Sequence, residues 1–268
     1  NEEALVWQQL VGIYSKAIDV ENDLALVACY KKKLVTIDLH EIKNPKILGS
    51  LDLPDSVKQI KIVGDQALIG MQNNAGLYLV DLKDPEVLKL GRHFPASGMV
   101  TDMVADGNVV YFTNLYQGVS RIDLSAENPA LETLVSMKSP WRIALQGNRL
   151  VVGTLKGHAS LFEITQDGQL LETWSFDFPD DVRGVAFVNE TLAVTAADDK
   201  LYLFSLSSRP RLNNPAQLTL PGGPLLMERI PGRASLAVGL IAGGVAMIDV
   251  SQPTAPRLSG YLKRPQTF

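Results

Sequence analysis

Carboxylates recur along this chain at a spacing that raises the question of a metal. Asp38, Asp81, Asp123 and Asp249 each stand near the end of a short apolar run, and two acidic turns, 177–181 (DFPDD) and Asp198-Asp199-Lys200, could recruit a cation. Four such acids bind an ion only if they converge on one point. An acid that closes an apolar run just before a Pro-containing loop is instead well placed to accept backbone N–H groups of the turn, and that is the role expected of them. The three histidines, His40, His93 and His158, fall in three different segments and form no ligand spacing that zinc uses. A single cysteine, Cys29, leaves no intrachain disulfide and no Cys-based cluster. No nucleophile elbow, P-loop, H-E-x-x-H or EF-hand loop occurs, and neither does a sialidase Asp-box or a Trp-Asp repeat signature. No catalytic residue, metal site or cofactor is therefore expected.

What positions these residues is a repeat. Six segments end alike: 34–39 (LVTIDL), 77–82 (LYLVDL), 119–124 (VSRIDL), 160–164 (SLFEI), 201–206 (LYLFSL) and 245–250 (VAMIDV). With Asp38, Asp81, Asp123, Glu163, Ser205 and Asp249 taken as equivalent, the steps are 43, 42, 40, 42 and 44 residues. A period of about 40 residues marks a unit of one small sheet. The second unit shows the division best: 58–63 (KQIKIV), a turn at Gly64-Asp65, 67–71 (ALIGM), a turn at 73–76, 77–82, a Lys83-Asp84-Pro85 break, then 88–94 (LKLGRHF). Short Val-, Ile- and Leu-rich runs punctuated by Gly, Asn and Pro read as four strands. A Gly-Asn or Asn-polar pair recurs between the first two, at Asn22-Asp23, Gly107-Asn108, Gly147-Asn148 and Asn189-Glu190, and supplies the positive φ of a tight hairpin. In 77–82 both faces are apolar, so the middle strands need a neighbour on each side.

Radially packed sheets meet that need. The expected fold is all-β, a six-bladed β-propeller with four antiparallel strands per blade, the blades spanning about 15–53, 56–95, 99–138, 140–178, 181–221 and 223–264. Residues 1–14 do not fit six complete blades. They are expected either to add a strand that closes the ring or to be the remnant of a longer chain, and a chain opening at Asn1 is expected to have been trimmed.

Lys and Arg total 25 against 29 Asp and Glu, a net charge of −4, and basic residues do not interleave with aromatics, so nucleic acid is not expected as a partner. No run of 18 apolar residues and no amphipathic helix is present, so membrane insertion is not expected either. One local feature runs against the net charge. Aligned through the following hairpin, the entries of the first strands carry Lys16, Lys58, Asp102, Arg142 and Arg183, with Pro224-Leu225 in the sixth unit. Loops on the same face add Tyr116, Lys156 and His158. Cations converging there focus a positive potential, and the expected partner is a protein or an acidic small-molecule ligand at this channel mouth. The same cations could instead be paired with Asp55, Asp102, Asp180 and Asp181. Trp141 is either a stacking platform at the mouth or a wedge between blades. Were there chemistry, its acid or base would come from Asp102, His158, Asp181 or Tyr116, and a hydrolase or lyase is the alternative to a binding role. A structural subunit of a larger surface assembly is a further alternative.

The repeat unit resembles a known family. Its pattern, G-[LV]-x-[LIV]-[LIV]-D-[LIV], a few polar residues, Pro, then [LI]-x-G, is similar to the LVIVD repeat of bacterial and archaeal proteins. Residues 76–85 (GLYLVDLKDP) are the closest copy, followed by 244–250 (GVAMIDV) with Pro253, Pro256 and 258–260 (LSG), then 118–129. The fourth and fifth units depart from it at Glu163, Ser205 and Gln166-Asp167-Gly168. The resemblance implies a propeller and an extracytoplasmic setting, secreted, periplasmic or at the cell surface, and carries no catalytic residues.

Overall fold

The computed structural model describes residues 15–29, 32–73, 75–207, 214–241 and 243–263; the N-terminal 1–14 lie outside the described residues. The chain divides into two units, Asn1–Met137 and Lys138–Phe268. The first holds three four-stranded antiparallel sheets: β1–β4 (Ser15–Glu21, Leu24–Cys29, Lys33–Asp38, Lys46–Asp52), β5–β8 (Val57–Val63, Gln66–Met71, Leu77–Asp81, Lys89–Phe94) and β9–β12 (Val100–Asp106, Val109–Asn114, Gly118–Asp123, Leu131–Val135). The second holds β13–β16 (Pro140–Gln146, Arg149–Thr154, His158–Ile164, Leu170–Asp177), β17–β20 (Val182–Val188, Thr191–Ala196, Lys200–Ser205, Ala216–Thr219) and β21–β24 (Pro224–Arg229, Ser235–Leu240, Val245–Asp249, Arg257–Leu262).

Within each unit successive sheets stack face to face, first strand on first strand: β1 lies on β5 and β5 on β9, β13 on β17 and β17 on β21. The double-faced apolar pattern is what drives this. In the middle sheet of the second unit, Leu192 and Val194 pack with Val151 and Leu161 of the preceding sheet, whereas Ala193 between them packs with Met227, Leu236 and Val238 of the next. In the first unit Ile69 and Met71 join Leu26 and Leu34, while Leu68 joins Val100, Val110 and Phe112. Each fully buried Val, Leu, Ile, Met or Phe side chain among these contributes about 1.5–3 kcal/mol. Side chains also tie the first strands together. Asp19 of β1 accepts from the backbone N–H of Ile62 at 2.7 Å and pairs with Lys61 at 2.9 Å, and the Gln59 amide donates to the carbonyl of Thr101 at 2.8 Å.

The hairpin residues behave as their types require. Asn22, Gly64, Gly107, Gly147 and Asn189 take φ between 52° and 59°. A second left-handed position opens the third strand of every sheet: Lys32, Gly76, Gly118, Gly157, Asp199 and Gly244 all have positive φ. At Gly118 (φ 115°) an added Cβ would sit 2.0 Å from the Val135 carbonyl oxygen of the fourth strand, a backbone atom that cannot move aside. This is the physical reason for the glycine that heads the repeat pattern. Lys32 (φ 61°) and Asp199 (φ 62°) occupy the position with less extreme dihedrals. Gly118→Ala is therefore expected to lower stability by about 2–3 kcal/mol, whereas Lys32→Gly changes it by less than about 1 kcal/mol because relief of the left-handed strain offsets the added chain entropy. Urea denaturation of the two variants checks the contrast.

Candidate functional site

Every first strand carries a bulge at the same end. In all six sheets the pairing of first and second strand skips one residue: Lys16, Lys58, Thr101, Trp141, Arg183 and Leu225. A bulge leaves the extra residue out of the ladder and re-aims its side chain. This corrects the alignment drawn from sequence. Lys16, Lys58 and Arg183 do share one position, but with Thr101, Trp141 and Leu225. Asp102 and Arg142 stand one residue further along, level with Ala17, Gln59, Gly184 and Leu226. The signal was present: six residues back from each positive-φ turn residue, Asn22, Gly64, Gly107, Gly147 and Asn189, lies the bulged residue.

In the first unit Lys16 donates from Nζ to Gln72 Oε1 at 3.0 Å, reaching the second hairpin of the next sheet. Lys58 is half-buried. Asp102 Oδ1 accepts the N–H of Met103, and the Thr101 hydroxyl lies 2.8 Å from that of Thr113. Tyr116 stands at the tip of the β10–β11 hairpin, 72% exposed, on a turn held by Asn114 Oδ1, which accepts from the backbone N–H of Tyr116 and of Gln117. Lys32 Nζ donates to the Pro54 carbonyl and lies 3.7 Å from Asp55.

In the second unit Arg142 is the organising group. Its Nε donates to the Arg183 carbonyl at 2.9 Å and its Nη2 to the Leu225 carbonyl at 3.2 Å, so one guanidinium spans the first strands of all three sheets of that unit. Its Cζ lies 5.3 Å from the centroid of the half-buried Trp141 ring. Arg183 pairs with Asp181 at 3.0 Å, while its Nε is buried with no acceptor. Lys156 is exposed in the β14–β15 hairpin. His158 is not with these groups. It begins the third strand, opposite Asp177 of the fourth, with Nδ1 2.6 Å from Asp177 Oδ1 and Nε2 3.1 Å from Ser160 Oγ; the pair lies in the outer half of its sheet. Asp198 lies 3.8 Å from Lys200 and accepts from the Tyr202 hydroxyl; burial first, then this bond, push the Tyr202 pKa up. Of the acids and bases considered for catalysis, Asp102 and Tyr116 lie in the first unit and His158 and Asp181 in the second, the latter two held by different partners, Asp177 and Arg183.

The recurrent carboxylates cap turns as expected. Asp38 accepts from His40 N–H, Asp81 from Lys83 N–H, Asp123 from Ser125 N–H and Oγ, and Asp249 from Ser251 N–H, at 2.6–3.0 Å. The bonds from Ser125 and Ser251 hold the carboxyls of Asp123 and Asp249 below the usual carboxylate range, with Arg121 and Arg257 adding to the effect. Among the described residues no group of three or more His, Cys, Asp and Glu could hold a metal. A cavity of about 280 Å³ opens in the first unit beside Arg121, Asp123, Asn128 and Glu132, at the turn end of β9–β12 away from the bulges.

No family model matches this sequence, and no curated protein matches it. Solved structures do. The β-propeller domain of Cps50 (Swd1) from Myceliophteria thermophila superposes with a TM-score of 0.72 at 17% identity, over 88% of this chain and 83% of that one. A chain of the mitotic checkpoint complex gives 0.76 at 12% identity, over 94% and 78%. Sqt1 from Chaetomium thermophilum gives 0.72 at 14%, over 92% and 74%. The fold is a six-bladed β-propeller. Identities this low carry the architecture alone.

Two predictions follow from the roles of these groups in the propeller. Arg142→Met removes charged donors from two backbone carbonyls on two neighbouring blades and should lower stability by about 2 kcal/mol, while Arg183→Met, which loses a partly exposed pair, costs less than about 1 kcal/mol; urea midpoints compare them. A carboxyl held below its unfolded pKa near 4 stabilises the fold above that pH and stops doing so as the pH falls through the folded value. Asp123→Asn with Asp249→Asn should therefore flatten the loss of stability below about pH 4, read from urea midpoints across pH 2–7 against the parent chain.

Proposed function

We propose that this propeller is a non-catalytic binding module, working outside the cytoplasm, whose loop face docks a protein partner rich in acidic groups. The observation that carries the reading is the bulge at the loop-face end of every first strand. Around it the frame repeats: positive φ at the first turn and at the third-strand entry of all six blades, and an acid cap at four. The bulged residue itself does not repeat, being Lys16, Lys58, Thr101, Trp141, Arg183 or Leu225. Five of the six bulged residues are at least partly exposed, Thr101 being buried, and a repeated scaffold that presents different side chains at equivalent tips suits recognition of a partner. Lys16, Lys58, Arg183 and the exposed Lys156 favour anionic groups on that partner. The extracytoplasmic setting rests on the resemblance of residues 76–85 and 244–250 to the LVIVD repeat.

Site-directed photo-crosslinking tests it. A crosslinker replacing Tyr116 or Lys156 should capture a protein that one replacing Glu172, on the outer strand β16, does not; equal capture from all three positions, or none from the first two, would sink the proposal. Lys58→Glu should cut capture at Tyr116, and Arg183→Glu capture at Lys156, by about tenfold at low salt, with the difference closing at high salt as screening takes over. Cell fractionation checks the setting, and a chain found in the cytoplasm overturns it.

A further inference from the structure

One sheet breaks the repeat at a single position. Two residues before the recurrent acid, or its equivalent, the six sheets carry Thr36, Leu79, Arg121, Leu161, Leu203 and Met247, so one guanidinium stands where the others place an aliphatic, thioether or hydroxyl side chain. Its cross-strand partner departs as well. Tyr111 lies opposite Arg121, where Leu68, Val151 and Ala193 lie opposite Leu79, Leu161 and Leu203. In the fourth sheet that pair is frame: Val151 and Leu161 pack with Val182 and Val185 of the sheet that follows. A local departure from a pattern that the other sheets obey is where function is to be sought.

Here the departure opens on the cavity of about 280 Å³ at the turn end of β9–β12, whose lining comes entirely from this sheet and its β11–β12 loop. Arg121 donates from Nε to Glu132 Oε2 at 2.8 Å and hydrogen-bonds the Tyr111 hydroxyl beneath it. Asp123 stands in the field of the same guanidinium, and the Ser125 N–H and hydroxyl first, Arg121 last, hold its carboxyl below the usual carboxylate range. At neutral pH two carboxylates therefore flank one guanidinium, an excess of one negative charge that favours a ligand bringing a cation. A guanidinium carries its N–H donors in a planar fork that matches a carboxylate. The other walls are the Asn128 amide and three short aliphatic groups, Val109, Ala126 and Ala130. No aromatic ring lines the cavity among the described residues, which leaves no stacking platform for a nucleobase. Its volume falls just short of the range, about 300–1,000 Å³, that takes drug-sized ligands. From this cavity, its mixed charge and its short walls, we propose that the third sheet binds a free α-amino acid with a short aliphatic side chain. The ligand carboxylate sits on Arg121, its ammonium on Glu132 and Asp123, and its side chain against Val109, Ala126 and Ala130. The site lies at the end of the sheet away from the bulges and does not rest on the loop-face reading.

Titration calorimetry with three small molecules tests this: valine, isobutylamine, which lacks only the carboxylate, and isovalerate, which lacks only the ammonium. Valine should bind at least about tenfold more tightly than either. Arg121→Leu installs the residue that the second, fourth and fifth sheets carry at this position, and it should bring valine down to the level of isobutylamine. Glu132→Gln should narrow the advantage of valine over isovalerate. Urea midpoints are measured alongside; if Arg121→Leu lowers its midpoint, Arg121→Lys, which keeps the charge without the fork, should still cost valine about tenfold. Arg149→Gln with Glu190→Gln removes an ion pair of similar length, 2.9 Å, in the second unit and should leave valine affinity unchanged. Valine held no better than isobutylamine would make this a plain cation site, and held no better than isovalerate a plain anion site; either result overturns the proposal. So does the absence of any binding, or valine affinity that the Arg121 and Glu132 variants leave untouched or that the Arg149 and Glu190 control weakens equally.

Discussion

Burial on both faces of every middle strand is the constraint from which the rest of the molecule follows. Strand β18 (Thr191–Ala196) is buried along its whole length, with Leu192 and Val194 turned to one neighbouring blade and Ala193 to the other. A sheet of this kind cannot stand alone, because either face left in water would forfeit the hydrophobic free energy that offsets chain entropy. Stacking blades through their first strands satisfies both faces at once and leaves the fourth strands, such as β8 and β16, to carry the exposed residues.

That arrangement decides where polar groups do useful things. Among the described side chains, first strands are tied to one another largely through backbone carbonyls and amides: Asp19 to Ile62 N–H, Gln59 to Thr101 C=O, Arg142 to the carbonyls of Arg183 and Leu225. Bonds of this sort do not depend on the identity of the residue they reach, so that residue's side chain is free to differ from blade to blade. Arg142 illustrates the division of labour. It stands at the bulge end of β13, yet its donors are spent on holding three first strands in place. Arg183 and Leu225 give it only their carbonyls, which leaves the Arg183 side chain to pair with Asp181 and that of Leu225 exposed.

The bulges complete the logic. A first strand that ran straight into its ladder would alternate its side chains between the two neighbouring blades, and none would be presented to the loop face. Skipping one residue re-aims a side chain at the end of the strand without breaking the hairpin that follows. The bulged residues differ in polarity between the units: Lys16, Lys58 and the buried Thr101 in the first, Trp141, Arg183 and Leu225 in the second. The recurrent acids, by contrast, are turn caps on the opposite side of their strands and belong to the frame.

Much of this frame was legible in the amino-acid string because it is local. The repeat of about 42 residues, the two-faced apolar runs, the turn residues from Asn22 to Asn189 and the capping role of Asp123 and Asp249 all depend on residues within a few positions of one another. The mouth was not, for two reasons. Counting inward by strand alternation loses one residue at each bulge, which put Asp102 and Arg142 level with Lys16 and Lys58 when they stand one residue further along. And the partners that give Arg142 its structural task lie 41 and 83 residues away, while His158, taken for a mouth residue, is held at the outer half of its blade by Asp177 of the fourth strand. Sequence determines which residues turn, cap and bury, since those are properties of short segments; which side chains share a surface is settled only when separate blades stack, because that contact has no counterpart along the chain.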